Sequence, residues 1–231
     1  MDTLNEPKMK IIARIRSDFP DKFGIPRQAG LVPELVSKIV FEPEFRDPNA
    51  LRGIEEWSHL WLIWQFSKAI RDDWSPTVRP PRLGGNERVG VFATRSPFRP
   101  NPIGLSSVRL ERVAVEEGLG TVLYVSGADL MDGTPIYDIK PYLAFTDSHP
   151  DASGSFAAEA FGHSLKVNFP DELLKVLPAD KRAAAIGMLS NDPRPAFQHD
   201  PLRVYGVSFG GYEIKFCVDR TLNVLSVTKS L

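Results

Sequence analysis

The chain has 231 residues, with 28 Lys and Arg against 29 Asp and Glu, and hydrophobic residues make up 42% of it. These are ordinary globular values, so they exclude a disordered chain, and the length allows one large domain or two smaller ones. No window approaches the roughly 18 apolar residues of a membrane span, no secretory signal is visible, and the single Cys217 excludes an internal disulfide, so we expect a cytoplasmic protein.

The first 145 residues are predicted to form short strands separated by Gly- and Pro-containing loops. The predicted strands cover residues 9–16, 37–41, 59–66, 89–94, 108–115, 121–126 and 136–143. The nearly continuous apolar run 59–66 indicates a strand buried on both faces or a short core segment. Near Arg112 the alternation changes phase, which indicates a β-bulge in a curved sheet. Alternating strands and helices and a Gly-x-Gly-x-x-Gly loop are both absent, so the pattern favours a β-barrel or sandwich over a Rossmann fold.

The sequence pattern changes after residue 145. Residues 147–154 are polar and turn-rich, which is typical of a linker. Helical spacing follows over 169–191, where Pro178 breaks or starts a helix. Gly210-Gly211 then separates two predicted hairpin strands, and a third strand is predicted over 222–227. We therefore predict a mainly β protein with two domains: a small β-barrel over 1–145 and a small α+β domain over 155–231.

Residues 79–112 are rich in arginine. They hold seven Arg, no Lys and only two acids, Glu87 and Glu111. Arginine without lysine suits forked contacts to phosphate or carboxylate and stacking on rings. A solvated surface balanced by acids elsewhere is the plainer alternative, and we favour anion binding.

The segment 89–106, VGVFATRSPFRPNPIGLS, is predicted to form a rigid loop. Its three prolines fix the backbone and remove three N–H donors, around Arg95, Arg99 and Asn101. Such a loop can simply cap a barrel, but here it presents two guanidinium groups and an amide. We expect it to hold a ligand. Residues 24–30 offer Arg27 and Gln28 as further donors, although this segment alone indicates only a turn.

The segment 128–142, ADLMDGTPIYDIKPY, carries three carboxylates, Asp129, Asp132 and Asp138. An Asp-Gly turn accounts for part of it. If the fold brings these groups to the arginine-rich loop, a general base becomes possible. The four histidines show no ligand spacing, so we expect no metal site.

Six segments, taken together and in this order, resemble the TrmO family, also called TsaA-like or YaeB-like proteins. They are PRQAG, RGIEEWSHLWLIW, RPPRLGG, VGVFATRSPFRPNPIGLS, DLMDGTPIYDIKPY and DPRPAF. The string ATRS-x-x-RPNPIG is the most specific of them. The resemblance is strong over residues 8–145 and extends over 190–218 in the C-terminal domain of the bacterial members.

The resemblance implies an S-adenosylmethionine-dependent tRNA methyltransferase. Members of the family methylate N6 of N6-threonylcarbamoyladenosine (t6A) beside the anticodon to give m6t6A. The implied fold is a small β-barrel, and the implied assembly is a homodimer with the cofactor near the interface. The implied cofactor contacts are Pro26, Arg27, Gln28, Phe66, Ser67, Arg95, Leu105, Asp129, Leu130, Met131 and Asp132. Family members often carry His where this chain has Ser67.

The chemistry of the residues is compatible with this function. The attacking N6 is a urea-type nitrogen and a poor nucleophile, so its proton must be removed or its geometry enforced. Asp138 and Tyr142 are the candidates for the catalytic group, and the sequence does not choose between them. The arginines expected to meet RNA phosphates are Arg79, Arg82, Arg88, Arg99 and Arg109.

Two other functions remain open from the sequence. One is a non-catalytic RNA- or nucleotide-binding β-barrel module, and the other is a methyltransferase of a different small substrate. In the C-terminal part, Arg194 lies between two prolines, which predicts an extended and accessible side chain. We expect this part of the chain to position the tRNA or to buttress the barrel.

Overall fold

The computed structural model describes residues 8–80, 87–154, 164–195, 198 and 200–230. Arg82, the end of the RPPRLGG segment, the predicted start of the second domain and the last two residues of DPRPAF lie outside these ranges. Within the described part of the chain, no helix is long and apolar enough to cross a membrane.

The described strands and helices confirm a mainly β chain. The strands are β1 (Ala13–Arg16), β2 (Val36–Phe41), β3 (His59–Gln65), β4 (Thr77–Val78), β5 (Val89–Gly90), β6 (Ile103–Glu116), β7 (Gly120–Ser126), β8 (Pro135–Pro141), β9 (Val167–Asn168), β10 (Tyr205–Phe209), β11 (Tyr212–Val218) and β12 (Leu222–Lys229). The helices are α1 (Ala144–Asp147), α2 (Asp171–Leu174) and α3 (Ala179–Ser190).

Six strands close into an antiparallel barrel in the order β1-β2-β7-β6-β3-β8, and β8 returns to β1. The predicted bulge is confirmed, because the pairing of β6 with β7 shifts between Leu110 and Arg112. Burial on both faces of residues 59–66 is wrong. Leu60, Leu62 and Trp64 face the interior and alternate with more exposed neighbours, since a barrel wall has only one inner face.

Two predicted strands are shorter than the sequence indicated. The first begins at Ala13 rather than at residue 9. The strand predicted over 89–94 is wrong beyond Gly90, because Val91–Ala93 form a 3-10 helix. The Thr94 hydroxyl and N–H both donate to the carbonyl of Val91, which closes this turn while Val91 itself is buried.

The C-terminal part forms a second sheet in the order β10-β11-β12-β9, with α2 and α3 preceding the hairpin. Pro178 stands at the beginning of α3, as its position predicted. The predicted hairpin is confirmed, and Gly210 and Gly211 have φ of +57° and +84°. Two successive positive φ angles suit the right-handed twist of a two-residue hairpin, and glycine adopts them without a steric penalty.

Two hydrophobic cores organise the chain, and the second draws on both ends of it. The barrel interior contains Ile15, Ile39, Leu62, Val125 and Ile136, among others. The second core joins α3 and the C-terminal sheet to Phe19, Val32 and Leu35, which follow β1 in the sequence.

Segment 18–35 therefore packs on the C-terminal sheet. A β-carbon at Gly24 would lie 2.4 Å from a methyl of Val207, so the backbone there reaches the sheet directly. The division of the chain between residues 145 and 155 remains a prediction, since this core crosses it.

Candidate functional site

The loop that carries Pro26, Arg27 and Gln28 lies against the turn that contains Asp129. The Gly30 N–H donates to the Gly127 carbonyl at 2.8 Å, and the Gly127 N–H donates to the Leu35 carbonyl at 2.9 Å. From the other side, a guanidinium N–H of Arg95 donates to the Gln28 side-chain oxygen. The fold thus brings together three distant sequence segments, each of which contains implied cofactor contacts.

Asp129 is held by a chain of side-chain hydrogen bonds. The indole N–H of Trp64 donates to the Ser106 hydroxyl at 2.9 Å, and this hydroxyl donates to Asp129 Oδ1 at 2.6 Å. Burial raises the pKa of Asp129, against the opposing effects of the Ser106 hydrogen bond and the charge of Arg95. Asp129 is therefore held in one orientation. A cation bound beside it would stabilise its ionised form. The supporting roles of Trp64 and Ser106 were not predicted from the sequence.

Phe66 and Ser67 follow directly after β3, at the same end of the barrel. The Phe66 ring lies 4.3 Å from the Trp64 ring between centroids, and its N–H donates to the Pro102 carbonyl at 2.8 Å. The Ser67 N–H donates to the Gln65 carbonyl. This bond to Pro102 joins the end of β3 to the proline-rich loop.

Leu130, Met131 and Asp132 continue the turn after Asp129, and their polar groups are engaged by the protein. The Leu130 side chain is buried and its carbonyl accepts from the Ser17 hydroxyl, while Asp132 accepts from the Ser17 N–H at 3.0 Å. The Met131 carbonyl accepts from the Thr134 hydroxyl. These contacts fix the turn against the end of β1.

Asp138 and Leu105 lie on the outer face of the barrel rather than beside Asp129. Leu105 on β6 pairs with Ile63 on β3, which in turn pairs with Asp138 on β8, so the three form one row across the sheet. Leu105 is 57% exposed, and Asp138 forms an ion pair with Lys140 at 2.9 Å. The condition set for these three carboxylates is therefore not met by Asp138, which faces outward from the barrel.

Tyr142 lies four residues beyond Asp138, which corresponds to about 13 Å along an extended chain. Its ring packs 5.4 Å from Trp61 and 6.2 Å from His59 between centroids. The two candidates for the catalytic group therefore lie in different surroundings.

Exposed aromatic rings that were not predicted from the sequence lie within the arginine-rich segment and just before it. Trp74 and Phe92 are 53% and 72% exposed, with ring centroids 6.0 Å apart. The Arg71 guanidinium lies 4.0 Å over the Phe98 ring. Such rings beside guanidinium groups are typical of surfaces on which bases stack, and the interleaving of Trp, Phe and Arg over residues 71–99 is the sequence signal that could have indicated them.

Arg194 is not accessible, which corrects the expectation drawn from its neighbouring prolines. It is only 9% exposed, and its guanidinium meets both carboxylate oxygens of Asp192 at 2.8 and 3.0 Å. Asp192 adopts a φ of +49°, so the chain turns back there instead of extending. This hydrogen-bonded pairing raises the pKa of Arg194. The Arg194 carbonyl accepts from Arg27 at 3.1 Å, which joins the C-terminal part to the predicted cofactor loop.

No group of three or more His, Cys, Asp or Glu side chains that is close enough to hold a metal ion occurs among the described residues.

Comparison with known proteins identifies the class of the chain. Residues 14–148 match the family model "tRNA-methyltransferase O N-terminal domain", and residues 163–230 match "TrmO C-terminal domain". The tRNA (adenine(37)-N6)-methyltransferase of Escherichia coli K12 is 42% identical over 215 residues, which cover 90% of this chain and 91% of that protein. A Pseudomonas aeruginosa relative that carries the name of an S-adenosylmethionine-dependent methyltransferase is 42% identical over 210 residues, 85% of this chain and 86% of its own.

A solved structure agrees with these matches. The crystal structure of TrmO from Pseudomonas aeruginosa has a TM-score of 0.77 and 33% identity, covering 97% of this chain and 99% of that one. The fold and the matches define a tRNA methyltransferase of the kind that uses S-adenosylmethionine. The chain belongs to the TrmO family.

Proposed function

We propose that this protein transfers a methyl group from S-adenosylmethionine to N6 of t6A beside the anticodon of tRNA, giving m6t6A. The observation that carries the proposal is the meeting of Gln28, Arg95 and the Ser106-bound Asp129 at one end of the barrel. Each of these three residues belongs to one of the segments by which the chain resembles its family. We also propose a cytoplasmic location, where tRNA is available.

The residues at this end of the barrel fit S-adenosylmethionine by charge. That molecule carries a sulfonium cation and a carboxylate, and it supplies an electrophilic methyl group when bound. Arg95 and Gln28 offer donors for the carboxylate. Asp129 offers the opposite charge, and burial makes its ionisation costly until a cation arrives. Phe66 and Trp64 add aromatic surface beside these groups.

Methylation of N6 forms a nitrogen–carbon bond, breaks the bond between the methyl carbon and sulfur, and releases the N6 proton. We assign the acceptance of this proton to Asp138 rather than to Tyr142. Asp138 shares its row on the outer face with Leu105, one of the implied cofactor contacts, whereas the Tyr142 ring packs against Trp61. Lys140 lies beside Asp138, with its ammonium nitrogen 2.9 Å from a carboxylate oxygen.

We also propose a homodimer that completes the site. Its interface is the outer face around Leu105 and Ile103, which exposes large apolar side chains on neighbouring positions of β6. Exposed apolar patches of this kind mark association surfaces. Asp138 and Leu105 lie on this face, so a second copy would enclose them. Sedimentation velocity should then give a dimer for the wild type and a monomer for Leu105→Asp.

The deciding experiment is methylation of tRNA that carries t6A, followed by nucleoside mass spectrometry. Purified protein, S-adenosylmethionine and tRNA from a strain lacking this gene should yield m6t6A. The matched control is the same tRNA from a strain that cannot make t6A. Transfer to both tRNAs, giving N6-methyladenosine in the control, would show that the threonylcarbamoyl group is not required.

The two alternatives give different results. A non-catalytic RNA-binding module would show no heat of binding with S-adenosylmethionine in calorimetry. A methyltransferase of another small substrate would bind S-adenosylmethionine yet leave both tRNAs unmodified.

A further inference from the structure

Two large aromatic side chains, Trp74 and Phe92, lie side by side at the surface, next to the short ribbon formed by β4 and β5. They are 53% and 72% exposed, and their ring planes are inclined by 31° with centroids 6.0 Å apart. Centroids roughly 4.5–7 Å apart are typical of aromatic rings in contact. The pair therefore presents a continuous apolar surface to solvent, and surfaces of this kind mark binding sites.

The backbone that carries the two rings is held in place by hydrogen bonds. β4 pairs with β5, and the Val91 N–H donates to the Pro76 carbonyl at 2.9 Å. Val91 is buried and so anchors the turn on which Phe92 stands. On the other side, the Thr77 N–H donates to the Ser75 hydroxyl at 3.3 Å. A ligand that binds the rings therefore has little loop ordering to offset.

The segments that carry the rings have an excess of positive charge. Residues 68–80 and 87–99 hold six Lys and Arg against three Asp and Glu, two of which, Asp72 and Asp73, directly precede Trp74. In the part of the chain that the structure describes, none of these six cations has a carboxylate oxygen within 4.0 Å. Their charge is therefore available to an anionic partner.

Phe98 is a third exposed ring in the same region, and a cation already covers it. The Arg71 guanidinium lies 4.0 Å from the centroid of this ring. Among the described residues, no guanidinium or ammonium group lies over Trp74 or Phe92 in the same way. These two rings are therefore the ones that keep a face for a ligand.

The ring pair lies close to the residues assigned to the methyl donor. Phe92 precedes Arg95 by three residues, so at most about 11 Å separates their α-carbons. Arg95 in turn donates to the Gln28 side-chain oxygen. A nucleotide on the ring pair is therefore close in space to a base that receives the methyl group.

We propose that Trp74 and Phe92 form a stacking surface for one unstacked base of the anticodon loop, a neighbour of the base that is methylated. This inference rests on the proposed tRNA substrate. Every base has a π-face that can stack on an aromatic ring, and nearby guanidinium groups can contact the phosphates on either side. A second copy of the chain would also cover the rings, but the unpaired arginines favour a polyanion.

The first test measures binding of a t6A-containing anticodon stem-loop to the full-length protein, separately from methyl transfer. Trp74→Ala and Phe92→Ala should each raise the Kd for this RNA about 5-fold or more, as expected for the loss of a stacked base. Trp74→Tyr keeps a ring and should retain most of the affinity. The melting temperature and the Kd for S-adenosylmethionine should not change. Phe145→Ala, which removes an 88% exposed ring on α1, is the matched control and should bind RNA as the wild type does.

Salt dependence separates stacking from charge. Stacking releases no counterions, so Trp74→Ala should leave the slope of log Kd against log salt concentration unchanged. Arg88→Gln should reduce the magnitude of this slope by about one unit. A reduced slope in Trp74→Ala would mean that the ring only supports phosphate contacts and would overturn the inference.

Removal of one loop base at a time identifies the stacked base. At one abasic position the wild type should lose affinity, while Trp74→Ala should show no further loss. Equal abasic penalties in both proteins at every position would overturn the inference. So would unchanged RNA affinity in both alanine variants, and a loss of dimer in sedimentation velocity beside it would assign the rings to an interface between copies. If coupling appears but no methyl group is transferred, the stacking surface stands and the proposed function fails.

Discussion

Trp64 and Gly104 face each other across β3 and β6, and the indole covers the glycine completely. A β-carbon at residue 104 would lie 2.3 Å from Trp64 Cε2, which no real contact allows. The glycine of the RPNPIG segment is thus required by the ring opposite it. The same ring donates to Ser106 and so supports Asp129.

Gly104→Ala should displace the indole and weaken both stability and cofactor binding. We expect the free energy of unfolding to fall by about 1–3 kcal/mol, as for other overpacked cores, and the Kd for S-adenosylmethionine to rise. Urea denaturation and calorimetry measure the two effects. Gly90→Ala is the matched control, since nothing lies within 4 Å of a β-carbon there. Equal losses in the two variants would contradict the argument.

The sequence predicted those features that depend on local periodicity. Three such features each depend on a few consecutive residues: the hairpin at Gly210-Gly211, the break at Pro178 and the bulge before Arg112. The ion pair of the buried Arg194 with Asp192 was missed, because it depends on a left-handed backbone at a residue other than glycine.

In the candidate site, too, some features were predicted from the sequence and others depend on long-range strand pairing. The resemblance named Gln28, Arg95 and Asp129, which the fold does bring together. The residue pattern alone grouped Asp129 with Asp138, because only the strand register decides which side chains face outward from the barrel. The partnership of Trp64 and Ser106 likewise depends on pairing between β3 and β6.

Asp129→Asn should weaken cofactor binding and increase the stability of the fold. Burial raises the folded pKa of Asp129, so the stability it contributes is full below its unfolded pKa of about 3.9 and is lost as pH rises through the folded value. Asparagine does not ionise, so the variant does not lose stability at this position as the pH rises. Its free energy of unfolding, relative to wild type, should therefore increase from about pH 4 upward, as urea titrations at a series of pH values would reveal.

The same variant should bind S-adenosylmethionine more weakly at neutral pH, because the charge opposite the sulfonium is gone. Wild-type and Asp129→Asn stabilities that differ by a constant amount at all pH values would mean that Arg95 already compensates the charge.

Arg95→Ala should weaken S-adenosylmethionine binding by roughly 1.5–3 kcal/mol, typical of a hydrogen bond to a charged group. Arg95 is exposed and contacts Gln28, so the fold should survive the change. Arg109→Ala removes an exposed arginine from the same segment and serves as the control in calorimetry. An unchanged Kd in a folded Arg95→Ala protein would remove Arg95 from the site.

The arginine-rich segment should contact RNA phosphates. Methylation should then fall steeply with salt, because each phosphate contact releases counterions. Arg88→Glu should raise the KM for tRNA and leave the Kd for S-adenosylmethionine unchanged, since the Arg88 guanidinium is hydrogen-bonded to Thr77 rather than to a residue assigned to the cofactor. Arg52→Glu, outside the segment, is the control. A flat salt response would argue against phosphate contacts.

The predicted division into two domains implies that a chain ending near Asp151 keeps the barrel fold and binds cofactor but methylates tRNA poorly. The structure revises this expectation, because Phe19, Val32 and Leu35 would lose the core that buries them. We now expect the barrel strands to form while the Pro26–Gln28 loop loses its support, so that S-adenosylmethionine binding falls sharply. Circular dichroism and calorimetry on the truncated chain distinguish this outcome from full cofactor affinity, which would show that the loop holds its shape alone.

Segment 18–35 packs on the C-terminal sheet. This packing decides which residues must be exchanged together when chimeras are made from homologues of this protein. A chimera that joins the first 150 residues of one homologue to the tail of another would bring together two halves of a core that were not shaped for each other. Val207 against Gly24 leaves no room for such a mismatch. The exchangeable block is discontinuous: the tail must travel with residues 18–35, and with them goes the loop assigned to the cofactor.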